Sequence, residues 1–138
     1  MSVRHLALHF FVSLRKNCHQ ARFTAAILAQ LAGVSLPESR IHSTTVSGEP
    51  KSAVLARLAE AAAFGDDPSS SSAPQLHFVE DKLATLEAVC KVPALAGWRL
   101  YLVDWGYNTP AERERAAGNP RIRLLGRAAF EALLARGE

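Results

Sequence analysis

The sequence predicts an α/β fold in which one doubly wound parallel sheet carries helices on both faces. Short apolar or β-branched runs alternate about five times with segments of helical period, which is typical of parallel strands joined by helices. The chain has 138 residues, of which 49% are hydrophobic, and this is enough for one core. We therefore expect residues 1–138 to form a single domain.

Two strands and two helices are predicted in the first half of the chain. The aromatic-rich run LALHFFVSL suits a strand buried on both faces, and IHSTTV is short and β-branched. Gly33 and Pro50 mark a helix end and a helix start, respectively. The predicted elements are, in order, a strand over 6–14, a helix over 23–31, a strand over 41–46 and a helix with Val54, Leu55 and Leu58 on its inner face.

The second half begins with a flexible, low-complexity loop over 66–74 (DDPSSSSAP). Further along, Thr109, Pro110 and Glu112 combine an N-cap, a first-turn proline and a capping-box partner, which is typical of a helix start. The predicted elements are a strand over 76–79, a helix with Leu83, Leu86, Val89 and Cys90 on one face, a strand over 98–103, a helix from Thr109, a strand over 121–125 and a terminal helix containing Phe130, Leu133 and Leu134.

Two adjacent acids, Glu80 and Asp81, stand where the strand over 76–79 meets the following helix. In open α/β sheets ligands bind at the carboxyl ends of the strands, so acids at this position are suited to hold a cation or a phosphate-bound cation. A structural role is the alternative. In that case Asp81 is the N-cap of the helix, and Glu80 is a solvated loop residue.

Other strand ends also carry residues suited to phosphate chemistry. Lys51 follows the turn Ser-Gly-Glu-Pro at a helix N-terminus, where free N–H groups favour anions. Ser13 ends the first predicted strand, and Asp104 ends the strand over 98–103. The structural alternatives are a solvated helix residue for Lys51 and an ordinary turn acid for Asp104, which opens the sequence WGYN.

The composition and the distribution of charge limit which partners and which cellular compartment are expected. The formal net charge is +3, but most basic residues are interspersed with acids, which argues against nucleic acid and favours a phosphorylated small molecule. No apolar run approaches the ~20 residues that span a bilayer, so no membrane partner is expected. Cys18 and Cys90 are too few for a disulfide framework and lack metal-ligand spacing, which indicates reduced thiols of an intracellular protein. The first 37 residues contain no acid, as in organellar targeting segments, so both cytoplasm and plastid stay open.

Three segments resemble the haloacid dehalogenase-like hydrolases, most of them Mg²⁺-dependent phosphatases with a Rossmann-like core. HFVEDKLATLEAV, GWRLYLVDWGYNTPAERERAA and NPRIRLL look like an uncharacterised plant, algal and cyanobacterial branch of that superfamily, and the similarity begins near Gln20. The resemblance implies that Glu80 and Asp81 form the acidic motif that binds Mg²⁺. It also implies that Lys51 steadies the nucleophile and the phosphoryl oxygens, and that Ser13 hydrogen-bonds the phosphoryl group.

The first motif of that family, an Asp-x-Asp after an N-terminal strand, is absent, and the earliest acid is Glu38. In the family its first Asp attacks phosphorus and its second acts as acid and base. The chain thus resembles the C-terminal part of such an enzyme, whether from a truncated gene, a degenerate copy or a mispredicted start. We expect it to be inactive or nearly so and to bind Mg²⁺ weakly. The missing central strand predicts marginal stability or self-association through an exposed sheet edge.

Two other classes of function stay open. A non-catalytic α/β module for binding or dimerisation would retain the fold and use the two acids as caps. A phosphoacceptor domain of receiver type also gathers acids and a lysine at strand ends, but the first half of this chain has no obvious Asp acceptor. Mg²⁺-dependent stabilisation that needs the charges of Glu80 and Asp81 would separate the phosphatase-like site from the binding module.

Overall fold

The computed structural model describes residues 10–12, 25–26, 29–30, 33, 35, 37–43, 47–64 and 75–136. The chain divides into two compact units, Leu6–Val54 and Leu55–Glu138, which we call the N-terminal and C-terminal units. The single domain that the chain length predicts stays a prediction, and the predicted loop over 66–74 lies outside the described residues.

The N-terminal unit contains two short parallel strands, β1 (Phe10–Val12) and β2 (Ile41–Ser43). Both lie within the strands predicted over 6–14 and 41–46. Residues 25–26 and 29–30, inside the predicted helix over 23–31, are helical. Gly33 has a φ of 64°, the left-handed conformation that commonly ends a helix and that glycine adopts without strain. Gly33 therefore has the backbone conformation that suits the helix end predicted there.

Helix α1 (Lys51–Phe64) begins directly after Pro50. The Pro50 carbonyl accepts hydrogen bonds from the N–H groups of Ala53 and Val54, at 3.0 and 3.3 Å. Proline suits this position because its φ is already helical and its missing N–H would have no partner in the first turn. Of the predicted inner face, Val54 and Leu55 are buried, with 2% and 1% of their surface exposed, whereas Leu58 is half-buried.

The sheet of the C-terminal unit has three parallel strands in the order β3 (His77–Glu80), β4 (Arg99–Val103) and β5 (Ile122–Leu125). Their register places Glu80 opposite Leu102, and Leu102 opposite Leu124. All three strands run in the same direction and end nearly level. The loops that follow them therefore emerge along one edge of the sheet.

The described strands form two sheets, one of two and one of three strands, whereas the alternation of elements predicted one. The mixed α/β class and the parallel pairing are confirmed. The difference has a simple cause. Alternation of strands and helices predicts that strands are parallel, but it carries no information about which strands become neighbours.

Two helices that connect the strands of the C-terminal unit pack against its sheet. Helix α2 (Leu83–Cys90) contacts β3 and β4, helix α3 (Pro110–Ala117) contacts β5, and the two helices contact each other. They therefore lie on the same side of the sheet. The four residues 100–103 of the central strand β4 are all buried, so both faces of the sheet are covered there.

Much of the core of the C-terminal unit comes from the predicted strands and from the predicted face of α2, whereas the buried Leu95 and Ala116 are not singled out by the sequence pattern. Leu83, Leu86 and Val89 of α2 are at most 1% exposed, as the helical spacing predicts. The last helix, α4 (Arg127–Arg136), follows β5 directly. The buried apolar residues from position 55 onward are Leu55, Phe78, Leu83, Leu86, Val89, Leu95, Trp98, Leu100, Tyr101, Leu102, Val103, Ala116, Ile122 and Leu125.

The capping box predicted at the start of α3 is present. The Thr109 N–H donates to Glu112 Oε2 at 2.7 Å, the Thr109 hydroxyl donates to the same oxygen at 2.9 Å, and the Glu112 N–H donates to Thr109 Oγ1 at 3.3 Å. Pro110 occupies the first helical position. Two N–H groups that would otherwise lack partners are thereby satisfied.

We expect the stability of the chain to depend on pH through Glu112. The backbone N–H of Thr109, together with its hydroxyl, holds the pKa of the Glu112 carboxyl below its ordinary value of 4.5. A carboxyl with a lowered folded pKa stabilises the fold above the unfolded value, and this contribution disappears as pH falls through the folded pKa. Glu112→Gln keeps an acceptor but no titrating group. Urea unfolding at a series of pH values should show that the advantage of the wild type over this variant shrinks toward acid.

None of the helices in the described part of the chain combines the length and the apolar character needed to cross a membrane. The longest described helix, α1, has 14 residues. A helix of that length rises about 21 Å, less than the hydrocarbon core of about 30 Å.

Candidate functional site

Glu80 is the last residue of β3, and its side chain is buried, with 6% of its surface exposed. Its Oε1 accepts hydrogen bonds from the backbone N–H groups of Asp81 and Lys82, both at 3.2 Å. A buried carboxylate is tolerated only where hydrogen bonds replace its hydration, and these two bonds replace part of it at Oε1. The alternative interpretation of Glu80 as a solvated loop residue is therefore wrong.

Asp81 follows β3 directly and is half-buried. Helix α2 begins two residues later, with Lys82 at the N-cap and no side-chain cap bond. The Asp81 carboxylate instead accepts the backbone N–H of Tyr107 at Oδ2, at 3.2 Å. The alternative interpretation of Asp81 as the N-cap of α2 is thus wrong. Tyr107 lies in the loop that follows the neighbouring strand β4. We call Glu80 and Asp81 the acidic joint.

Residues 105–108, which we call the WGYN loop, follow β4 and reach the acidic joint through Asn108. The Asn108 Nδ2 donates to the Asp81 carbonyl at 2.9 Å and to the Val103 carbonyl at 2.8 Å. The Arg113 guanidinium donates to Asn108 Oδ1 at 2.8 Å, which fixes the orientation of the amide. One side chain therefore ties together the ends of two neighbouring strands.

The WGYN loop approaches the acidic joint so closely that only glycine fits at position 106. A Cβ added to Gly106 would overlap the Asp81 Cβ, and it would lie 2.9 Å from the Val103 Cγ2 and 3.2 Å from the Asp81 Cα. Backbone and Cβ atoms cannot move aside as the end of a flexible side chain can. The missing side chain of Gly106 is therefore what allows the two loops to touch.

Asp104 lies at the same edge of the sheet, directly after β4. Its N–H donates to the Leu125 carbonyl at 3.2 Å, which continues the pairing of β4 with β5 by one residue. Its side chain is exposed. The three acids near this edge thus differ in environment: Glu80 is buried, Asp81 is half-buried and Asp104 is open to solvent.

Of the two predicted catalytic residues, the structure describes only Lys51, which belongs to the N-terminal unit. Lys51 is the first residue of α1, as the sequence predicts, and its side chain is half-buried. Ser13 lies outside the described residues. Of the predicted site residues, the structure brings together Glu80 and Asp81 in one joint. The roles predicted for Lys51 and Ser13 stay predictions.

The donor set of the acidic joint fits a Mg²⁺ ion only in part. In the part of the chain that the structure describes, no group of three or more His, Cys, Asp and Glu side chains is placed to hold a metal. Mg²⁺, however, keeps several waters and is commonly bound by one or two carboxylates together with substrate phosphates. The joint is therefore suited to a weak, water-rich Mg²⁺ site that a phosphate completes, rather than to a closed cage.

Sequence reasoning missed Gly106, Tyr107 and Asn108 as parts of the site. It treated WGYN only as a connection, although the loop supplies the N–H that binds Asp81 and the amide that binds its carbonyl. A glycine and an asparagine between a buried strand and a capping box were the available signal. Nothing in their spacing indicates that they contact residues 26 or 27 positions earlier.

Comparisons with protein-family models, with curated proteins and with solved structures gave no match at a significant level. The resemblance to haloacid dehalogenase-like hydrolases therefore rests on the segments quoted above. The geometry of the acidic joint provides the physical basis on which a function is proposed.

Proposed function

We propose that the C-terminal unit is a Rossmann-like core of the haloacid dehalogenase-like type, and that its acidic joint binds Mg²⁺ together with a phosphorylated small molecule. The observation that carries this proposal is the position of Glu80 and Asp81 at the carboxyl end of β3, beside the carboxyl end of the central strand β4. This edge is where parallel α/β sheets bind their ligands.

Each acid has a distinct task in this proposal. Asp81, half-buried and oriented by the Tyr107 N–H, is the carboxylate that would hold Mg²⁺. Glu80, which is turned onto the backbone N–H groups of Asp81 and Lys82, shapes the joint and adds negative charge beside the cation. A bound Mg²⁺ neutralises phosphate oxygens and so supplies the attraction that two carboxylates alone could not.

We propose binding with little or no turnover. The sequence contains no Asp-x-Asp, so no aspartyl-phosphate can form by the family's route. Lys51 is the residue that the resemblance assigns to phosphoryl stabilisation. Mg²⁺-dependent release of phosphate from an aryl phosphate, lost on Lys51→Ala, would contradict the proposed lack of turnover while supporting the assignment of Lys51.

The binding proposal is tested by the thermal midpoint of unfolding with and without millimolar Mg²⁺ plus tungstate, an anion that mimics phosphate. A ligand at ten times its Kd stabilises the folded state by about 1.4 kcal/mol. For a chain of this size that corresponds to a rise of about 4 °C. The rise should vanish in Asp81→Asn, which keeps an oxygen that can accept the Tyr107 N–H. No rise in the wild type would contradict the proposal.

A non-catalytic α/β binding module is the second candidate, and a specific observation favours it. The carboxylates of Glu80 and Asp81 accept hydrogen bonds from backbone N–H groups of residues 81, 82 and 107, which is how structural acids hold loops. In this case, Glu80→Gln and Asp81→Asn would change the thermal midpoint equally with and without Mg²⁺. Partner binding would survive both substitutions.

A further inference from the structure

The WGYN loop presents two large aromatic side chains to solvent. Trp105 is 39% and Tyr107 is 79% exposed, and the only other large apolar residue that is so exposed in the described chain is Leu124. The Tyr107 side chain does not contribute to the joint, because only its backbone N–H binds Asp81. Burial alone does not explain an aromatic ring at position 107.

Each of these rings is accompanied by a cation. The Lys82 Nζ lies 5.6 Å from the centroid of the Tyr107 ring, and the Arg127 Cζ lies 6.0 Å from the centroid of the Trp105 ring. Trp105 also contacts the Phe130 ring, with the centroids 5.7 Å apart. The Trp105 ring thus packs against Arg127 and Phe130 of α4, whereas the Tyr107 ring is largely exposed to solvent.

These groups converge on one edge of the sheet. Lys82 follows β3 through the acidic joint, the WGYN loop follows β4, and Arg127 follows β5 after one residue. The carboxyl edge therefore combines carboxylates suited to a divalent cation, two cations suited to an anion and an open aromatic face suited to stacking.

We propose that the WGYN loop is a stacking surface for a phosphorylated ligand that carries a planar aromatic ring, such as a nucleoside monophosphate. Tyr107 stacks on the ring of the ligand, and Lys82 faces its phosphate. This inference rests on the proposed function, because the phosphate is held through Mg²⁺ at the acidic joint. It adds the class of ligand, which the acids alone do not specify.

The charges at this edge argue for such a ligand. Asp81 and Asp104 would repel a bare phosphate, and a divalent cation held by Asp81 would offset this repulsion. Lys82 and Arg127 attract the negative charge that remains. A neutral aromatic molecule would gain only the stacking interaction. A phosphorylated sugar without an aromatic ring would gain only the electrostatic attraction.

Calorimetric titration of the wild-type chain in millimolar Mg²⁺ with adenosine 5′-monophosphate and with ribose 5-phosphate tests the proposal. Stacking on one aromatic side chain should make the nucleotide bind about tenfold more tightly. Tyr107→Ala should lower its affinity to that of ribose 5-phosphate, whose own affinity stays unchanged. Tyr107→Phe, which keeps the ring, should retain the preference. Since the Tyr107 side chain is largely exposed, both variants should fold.

Three results would overturn the proposal, and they separate it from the function on which it rests. Equal affinities for the two ligands, with stabilisation by Mg²⁺ and tungstate intact, would remove the stacking role and leave the phosphate site. No binding of either ligand and no stabilisation by tungstate would remove both. Self-association that Tyr107→Ala abolishes and the nucleotide does not affect would assign the ring to a contact between copies of the chain.

Discussion

Replacing Gly106 with alanine is expected to lower the free energy of unfolding by about 3 kcal/mol. The added methyl group would overlap the Asp81 Cβ and lie 2.9 Å from the Val103 Cγ2, so the WGYN loop would have to move away from the acidic joint. Overpacking of a tight contact typically costs about 1–3 kcal/mol, and here two of the opposing atoms are attached to or part of the backbone. Urea unfolding followed by circular dichroism measures the change.

Gly97→Ala is the matched control for this prediction. A Cβ at Gly97 meets no atom within 4 Å, and its backbone does not have a positive φ. The same substitution should therefore change stability there by no more than about 0.5 kcal/mol. If the two variants were equally stable, the close approach of the WGYN loop to the acidic joint would be refuted.

Asn108→Asp is expected to destabilise the C-terminal unit by about 2 kcal/mol. The carboxylate cannot donate, so the carbonyls of Asp81 and Val103 both lose the hydrogen bond from the Asn108 amide. It would also place negative charge beside these carbonyl oxygens. The Arg113 guanidinium, which already faces this side chain, offsets part of the cost. Urea unfolding again gives the magnitude.

Asn119→Asp controls for the introduction of a carboxylate. Asn119 uses its Oδ1 to accept the Arg121 N–H at 3.0 Å, and an aspartate keeps that acceptor. Its effect should be within about 0.5 kcal/mol. A loss at position 119 as large as that at position 108 would show that charge, rather than the lost donor, destabilises the chain.

Elements with strong local signals could be predicted from the sequence. Pro50 marks the start of α1, and Thr109 with Glu112 marks the start of α3, because caps and first-turn prolines act within a few residues. The apolar spacing of α2 likewise predicts its buried face. These features depend on neighbours along the chain, which a single sequence displays directly.

The contacts that complete the acidic joint could not be predicted in the same way. Asp81 binds the Tyr107 N–H and not the first turn of α2, and Asn108 reaches the Asp81 carbonyl from 27 positions away. A cap pattern favoured the local alternative for Asp81, because Asp is a common N-cap residue. The packing of two neighbouring strand ends decided otherwise, and no local pattern reports which strands are neighbours.

The burial of Glu80 is a second feature that could not be predicted from the sequence. A glutamate at a strand end is usually solvated, and its sequence context gives no reason to expect otherwise. In the structure the register places it opposite Leu102 on the fully covered central strand, and its carboxylate turns back onto the N–H groups of residues 81 and 82. The position of a strand within its sheet therefore determines the environment of the acid.

Binding of a divalent cation at the acidic joint, as we propose it, can be tested with Mn²⁺ as a paramagnetic substitute for Mg²⁺. Substoichiometric Mn²⁺ is added to ¹⁵N-labelled protein in the presence of phosphate, and amide line broadening is recorded by NMR. We expect selective broadening of the amide signals of Asp81, Lys82 and Tyr107, and the loss of this broadening in Asp81→Asn. Broadening elsewhere only, or broadening at these amides that persists in Asp81→Asn, would contradict it.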